Sequence, residues 1–381
     1  MKPIFYGRHY IAEEDIQAVH DTLLSDFLAQ GPRVEEFETK FAAYVGAKYA
    51  VAVMNGTAAL HLSALVLGVN EKSKVITTPI TFAASANCIR YCGGEVVFSD
   101  IDPQTALIDI PAVEKLVQQA PAGTYQGIIP VDFAGYPVDM EHLRKVADTY
   151  GLWIIEDACH APGGYFVDSS GTKQLCGNGK FSDLTVFSFH PVKHITTGEG
   201  GMITTNNESL YRKLLLLRSH GITKEPDLMS RNDGGWYYEM QTLGHNYRLP
   251  EMNAALGISQ LKRAEAGIKR RLEIAKRYDE AFEGVVESIK PSGSVGHAYH
   301  LYILKVSGRK KVYDTLREKG IFTQIHYIPV HTLPYYRSLG YKTGSLPHAE
   351  QYYRQCLSIP MYPSMTDEQV EYVIRTIKEV V

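Results

Sequence analysis

The stretch Leu184-Thr-Val-Phe-Ser-Phe-His-Pro-Val-Lys193, followed closely by Thr196-Thr-Gly-Glu-Gly-Gly201, decides how this chain reads. A short, uninterrupted apolar run bounded by turn residues suits a strand covered on both faces. Here such a run delivers a lysine into a glycine-rich turn. Most lysines are solvated surface charges, and burial without a partner disfavours the ammonium form and lowers its pKa. A partly desolvated lysine amine is a nucleophile able to form a Schiff base with a carbonyl.

Working outward, strand-like runs lie at residues 49–53, 75–78, 96–99, 127–131, 153–156, 185–189 and 201–205. Helical patterns at 57–67, 82–91, 111–119 and 140–150 alternate with them, as in a doubly wound α/β sheet. Beyond residue 205 a helix is expected at 208–219, a polar glycine-containing segment at 221–235, and one long helix over 253–283. The remainder reads as a strand at 298–306 and helices at 311–319, 349–356 and 367–380. The expected division is a large domain with an N-terminal arm, residues 1–250, and a smaller C-terminal α+β domain, residues 251–381, entered by the long linking helix.

The 381 residues are 45% hydrophobic and 21% charged, with a net charge of −3. That balance lacks the basic footprint of a nucleic-acid binder or a membrane-surface helix, so a small molecule is the expected partner. No signal-like apolar stretch precedes the acidic residues at Glu13, Glu14 and Asp15, and no window reaches membrane-spanning length, which makes the cytoplasm the expected location. Five cysteines, an odd number, argue against a disulfide framework. Cys88 and Cys92 lie four apart on an expected helix, but no second Cys/His pair at zinc-like spacing accompanies them, so no metal is expected.

Ligands in open α/β sheets sit at the carboxyl ends of the strands. After the first run, Asn55-Gly-Thr-Ala-Ala59 opens a helix. It is either an anion-binding turn or a plain glycine turn with Thr57 near the N-cap. After the second, Phe82 is either core or a ring on which a flat ligand stacks. The fifth run ends Ile154-Ile-Glu-Asp-Ala-Cys-His160, where Glu156 and Asp157 must point to opposite faces of the sheet. The sixth supplies Ser188, His190 and Lys193, with His190 read as a structural histidine. Singly, each motif has an ordinary structural explanation. Together, an anion turn, an aromatic ring, a carboxylate, a hydroxyl and a lysine are what pyridoxal phosphate requires.

The ordered segments Ser25-Asp-Phe-Leu-Ala-Gln-Gly-Pro32, Gly56-Thr-Ala-Ala-Leu60, Ile155-Glu-Asp-Ala158, Ser188-Phe-His-Pro-Val-Lys193, Gly198-Glu-Gly-Gly201 and Gly244-His-Asn-Tyr-Arg-Leu249 resemble the DegT/DnrJ/EryC1/StrS sugar-nucleotide aminotransferases. The resemblance covers nearly the whole chain. It implies the type I fold of pyridoxal-phosphate transferases, with a seven-stranded, mostly parallel sheet. It also implies that Lys193 is the Schiff-base lysine and proton carrier, that Asp157 holds the ring nitrogen protonated, that Phe82 stacks on the ring, and that Gly56, Thr57 and Ser188 surround the phosphate. His160 stands where many relatives have glutamine and would meet the ring oxygen. Asn246 would reach a partner's phosphate in a homodimer with shared active sites. The family also holds dehydratases with histidine at the lysine position; counting from Ser188 places Lys193, not His194, there. Tyr6-Gly-Arg8, Ser25-Asp-Phe-Leu28 and His326-Tyr-Ile-Pro-Val-His331 are similar to the branch making UDP-4-amino-4,6-dideoxy-N-acetyl-β-L-altrosamine, a pseudaminic acid precursor. That similarity implies L-glutamate and a UDP-linked 4-keto sugar as substrates, contacted by Tyr6, Phe27, Leu28, His326, Tyr327 and His331. For His331, packing is an equal alternative. Two other readings stand beside it: amination of a 3-keto sugar nucleotide, and a noncatalytic nucleotide-sugar binding protein.

Overall fold

The computed structural model describes residues 3–291, 293 and 295–381. Seven strands form the main sheet: β1 (Tyr49–Val53), β2 (Lys74–Thr77), β3 (Glu95–Phe98), β4 (Gly127–Ile129), β5 (Trp153–Asp157), β6 (Leu184–Ser188) and β7 (Gly201–Thr205). Their order is β1-β7-β6-β5-β4-β2-β3. Only β7 runs against its neighbours β1 and β6, so the other six strands end at one edge.

Period-two alternation explains the double burial. Val51 and Val53 join the packing under the helix Gly56–Val66, while Ala50 and Ala52 face Phe37 and Phe41 on the other side. On that second face the rings of Phe37, Phe41, Phe187 and Phe189 meet at centroid separations from 4.9 to 6.1 Å. Such aromatic pairs add about 0.5–1.5 kcal/mol each beyond their area burial.

Two helices outside the expected set, Glu13–Leu23 and Pro32–Val45, pack on Glu251–Leu261. The single long helix expected over 253–283 is in fact two, Glu251–Leu261 and Ala264–Phe282. A tertiary demand breaks it. Asp15 is fully buried, and it takes the Gln260 amide at 2.8 Å and the Arg263 guanidinium at 2.5 Å from either side of the junction. An unpaired buried carboxylate would cost several kcal/mol, more than a helix junction.

The C-terminal part builds a second, antiparallel sheet from β8 (Glu287–Ser288), β9 (Tyr302–Lys305) and β10 (Cys356–Ile359). Ala264–Phe282, Arg309–Glu318 and Asp367–Val380 pack their apolar faces against it. The strand expected from residue 298 begins at Tyr302, because Ala298 and Leu301 donate their N–H groups to Gly135 and Ala134 while Tyr299 adopts φ 48°. The N-terminal arm crosses over: Ile4–Phe5 pairs in parallel with Ile321–Phe322. All five cysteines are free. Among the described residues no helix is long and apolar enough to cross a membrane.

Candidate active site

The register of β7 sets the first wall. Gly201 lies opposite both Val53 and Ser188, so the turn after β1 and the end of β6 arrive side by side. A side chain at Gly201 would strike the Asn55 carbonyl at 2.5 Å, and one at Gly56 would meet Ser188 Cβ at 3.0 Å. These glycines allow the close approach. Asn55, rather than Thr57, is the N-cap of Gly56–Val66, and its side chain accepts from the Ala58 N–H at 2.8 Å. Among the described residues the Gly56 and Thr57 N–H groups find no protein acceptor, leaving them free for an anion beside the Ser188 hydroxyl.

Asp157 closes β5 and is buried. Its Oδ2 accepts from the Ser85 hydroxyl at 2.6 Å and its Oδ1 from the Cys159 N–H at 3.1 Å. Ser85 in turn shares a 2.8 Å hydrogen bond with the Thr81 hydroxyl. A carboxylate offers about four acceptor sites, so capacity remains for one further donor. Phe82, in the same segment, keeps 63% of its surface exposed. So exposed a ring leaves its face available for stacking on a flat ligand.

Lys193 stands half-buried in a loop tied at its base: Phe189 donates to the Gly200 carbonyl and accepts from Thr197 N–H. The Asn253 amide braces the loop by donating to the Thr197 carbonyl at 2.7 Å. Burial lowers the lysine pKa, opposed by the nearby Cys159 and Asp157. The neighbouring His194 turns elsewhere, its Nε2 donating to the Ala298 carbonyl at 2.8 Å. The amine, not the imidazole, therefore shares the electrostatic environment of Asp157. His190 is exposed.

His160 is buried, and both of its ring nitrogens are engaged. Nδ1 accepts from Ala134 N–H at 3.2 Å, and Nε2 lies 3.1 Å from the Tyr327 hydroxyl. Burial, then the positive charge of Lys193, pushes the imidazole pKa well down. The neutral ring thus carries its proton on Nε2 and donates it to Tyr327, leaving the phenol proton free to point onward. A direct contact of His160 with a ligand's ring oxygen would have to displace Tyr327. The Tyr327 ring lies 6.3 Å from Phe82, placing this phenol beside the same opening.

Of the other expected contacts, Tyr6 packs on His326 at 5.1 Å, and His326 is nearly buried with Nδ1 on the Ser358 hydroxyl at 2.8 Å. Phe27 and Leu28 are exposed between the two N-terminal helices, and Asn246 is exposed. Among the described residues no hydrogen bond or ring contact links these three side chains to Asp157 or Lys193. His331 is a correction: it is fully buried, with Nε2 3.1 Å from Glu350 and its ring against Phe98, so it has no surface for a substrate. Ser85, Cys159, the Ala134 N–H and His300, whose ring lies 4.3 Å from His160, belong to the site yet were not anticipated. The four-residue spacing of Thr81 and Ser85 was visible, but their partner lies 72 positions away.

The free N–H pair, the partly satisfied carboxylate, the bare ring and the unpaired lysine fit pyridoxal phosphate in each part. The DegT/DnrJ/EryC1/StrS aminotransferase family model matches residues 9–378. The spore coat polysaccharide biosynthesis protein SpsC of Bacillus subtilis is 40% identical, over 99% of this chain and 96% of its own. The UDP-4-amino-4,6-dideoxy-N-acetyl-β-L-altrosamine transaminase of Campylobacter jejuni is 36% identical, over 98% and 96%. Spr1654 of Streptococcus pneumoniae, solved in its PLP form, superposes with a TM-score of 0.90 at 30% identity, covering 99% of this chain and 98% of that one. A match this long makes the chain a member of the DegT/DnrJ/EryC1/StrS family of pyridoxal-phosphate-dependent sugar aminotransferases.

Proposed function

We propose that the protein moves an amino group from L-glutamate to the C4 keto carbon of a UDP-linked 2-acetamido-2,6-dideoxy-hexos-4-ulose, giving a UDP-4-amino-4,6-dideoxy sugar. The observation that carries amino transfer is the pairing of Lys193 with Asp157. The amine has no ion-pair partner among the described residues, and its pKa is lowered by burial beside a carboxylate held by two donors.

Pyridoxal phosphate, when bound, supplies the electron sink for exchanging an amine and a carbonyl. Asp157 would hold positive charge at the ring nitrogen. Phe82 would cover the ring, while Gly56, Thr57 and Ser188 would take the phosphate. Lys193, released from the cofactor by an incoming amine, would carry the proton between donor carbon and cofactor carbon. A lysine with a lowered pKa suits this work, because it must be a free base in half of its tasks. Tyr327, fed by His160 Nε2, would offer its phenol proton to the substrate.

The choice of a 4-keto sugar rests on similarity to the Campylobacter jejuni transaminase, which is named for a UDP-4-amino-4,6-dideoxy sugar, and on the packing of Tyr6, His326 and Tyr327 against one another. A homodimer belongs to the same reading. Asn246 is exposed, and Trp236 and Leu243 expose 76% and 81% of their surfaces in the preceding segment. Both side chains are available to a partner surface beside Asn246.

Lys193→Ala is expected to abolish turnover and the visible absorbance of the lysine-bound cofactor, while the protein still folds and binds the cofactor. Full turnover by this variant would overturn the assignment. Proton NMR of the product, locating the amine-bearing carbon, tests the sugar: an amine at C3 would overturn C4.

A further inference from the structure

A short strap, residues 298–301, brings the C-terminal part of the chain against His160, and both of its ends are pinned to one turn. Ala298 N–H donates to the Gly135 carbonyl at 2.8 Å, and Leu301 N–H to the Ala134 carbonyl at 3.2 Å. Between them Tyr299 takes φ 48°, and the buried Arg271 guanidinium donates to the carbonyls of Tyr299 at 3.0 Å and His300 at 3.4 Å. The same turn fixes His160, whose Nδ1 accepts from the Ala134 N–H at 3.2 Å. One turn thus sets the separation of two imidazoles from distant parts of the chain. The ring of His300 meets that of His160 at a centroid separation of 4.3 Å and an interplanar angle of 42°.

His300 is 3% exposed, and its Nδ1 is buried without a hydrogen-bond partner. Buried polar atoms are rarely left so, and an aliphatic side chain would fill this space without that cost. What the imidazole adds is a small flat ring against the face of His160, and aromatic pairs in tilted contact are worth more than the area they bury. His160 has only one useful setting. A half-turn about χ2 would put carbons where both nitrogens now lie, stranding the Ala134 N–H and breaking the 3.1 Å contact between Nε2 and the Tyr327 hydroxyl. Burial, then the neighbouring His160, holds the His300 pKa well below the usual histidine value, so two neutral rings face each other without repulsion. We propose that His300 is a positioning residue for amino transfer: its ring keeps His160 in the setting that donates Nε2–H to Tyr327, which leaves the phenol proton free for the substrate. This rests on the role given to Tyr327 above.

The test uses the cofactor-loaded full chain and nitrogen NMR of isotopically labelled histidine, with the His160 signals assigned from His160→Gln. In the parent, His160 should show an unprotonated Nδ1 and a slowly exchanging proton on Nε2. His300→Leu keeps the buried volume and removes the flat ring, and thermal melting checks that it folds. Loss of the aromatic contribution should speed exchange of the Nε2 proton by about two- to tenfold. In single turnovers with the keto sugar nucleotide the variant should be slower by about three- to tenfold, the worth of one neutral hydrogen bond. In a Tyr327→Phe background the same substitution should change that rate by less than about twofold, because its effect runs through the phenol. A parent His160 with its proton on Nδ1 overturns the proposal. So does His300→Leu with parental Nε2 exchange, or one that slows both backgrounds alike, as loss of packing alone would. If the parent aminates no keto sugar, the function proposed above fails, while the nitrogen signals still decide whether His300 holds His160.

Discussion

Ser85→Ala isolates the support of Asp157 from Asp157 itself. The Ser85 hydroxyl donates to Oδ2 at 2.6 Å, and both groups are buried. The Thr81 hydroxyl, 2.8 Å from Ser85 Oγ, can donate to that oxygen, so the three groups form a short relay of hydroxyls ending on a carboxylate. Hydrogen bonds to a charged group contribute about 1.5–3 kcal/mol, and in a dry relay each member polarises the next. Alanine removes that donor and leaves Asp157 Oδ2 without its Ser85 partner. If ionised Asp157 is what keeps the ring nitrogen protonated in the transition state, the whole loss falls on the barrier. At 1.36 kcal/mol per tenfold, it lowers kcat by about 10- to 150-fold. The assay is single-turnover conversion with L-glutamate, followed by cofactor absorbance and alongside a thermal melt. Ser85→Thr, which keeps the hydroxyl, should recover most of the rate. A kcat for Ser85→Ala within twofold of the parent, with unchanged absorbance, would show that Asp157 does not act through this relay.

Two further outcomes follow from the same geometry. Phe82→Ala removes a ring that is 63% exposed, so the melting temperature of the cofactor-free protein should hold, whereas cofactor affinity should fall by about tenfold, the worth of one stacking contact; equal affinity in equilibrium dialysis would return Phe82 to a surface role. For the buried Asp132, burial and then the charge of Glu156 push the carboxyl well above its usual range. Above the unfolded-state value near 4 the native state therefore holds the extra proton, and stability falls as pH rises toward the raised native value. Asp132→Asn keeps a donor toward Glu156 but takes up no proton, so its urea-derived stability should decline less between pH 5 and 8 than that of the parent; parallel pH profiles would refute this.

Much of this architecture was legible because it is written in local periodicity. Every one of the seven runs became a strand of the main sheet, since continuous Val/Ile/Leu segments have few alternatives between helices. What was not legible depends on partners far away in sequence. The helix over 253–283 gave no local sign of its break, because Asp15 causes it. Cys356–Ile359 followed an expected helix and became a strand by pairing with Tyr302–Lys305. In the site, Asp157, Ser188 and Lys193 could be singled out because strand ends are where ligands bind, whereas Ser85 and the Ala134 N–H act through contacts no spacing encodes. His331 shows the converse. Its segment has the composition of a binding loop, yet Glu350 on the helix Pro347–Gln355 claims its Nε2 and the core claims its ring.

The adjacent carboxylates at 156 and 157 show why position on the sheet, rather than residue type, decides chemistry here. They sit on one strand, one residue apart, and the pleat sends them to opposite faces. Asp157 reaches the edge where the amine, the bare ring and the free N–H groups lie. Glu156 goes beneath the sheet into a buried group with Asp132 and Cys176, whose ligand-type atoms all lie within 4.8 Å of one another. There its Oε2 takes the Thr185 hydroxyl at 2.7 Å and the Ser182 hydroxyl at 3.2 Å, while Asp132 Oδ2 meets no conventional donor. Two carboxyls facing each other with no cation nearby need one proton between them, and Glu156, with its hydroxyl donors, is the better place for the charge. Asp132 therefore keeps the proton and donates it to Glu156. The same residue accepts Val138 N–H at 2.9 Å and gives its own N–H to the Asp157 carbonyl at 3.0 Å. It thereby ties the strand end of Asp157 to the 133–135 turn that aligns His160. The proton under the sheet is structural, and it fixes the backbone that carries Asp157.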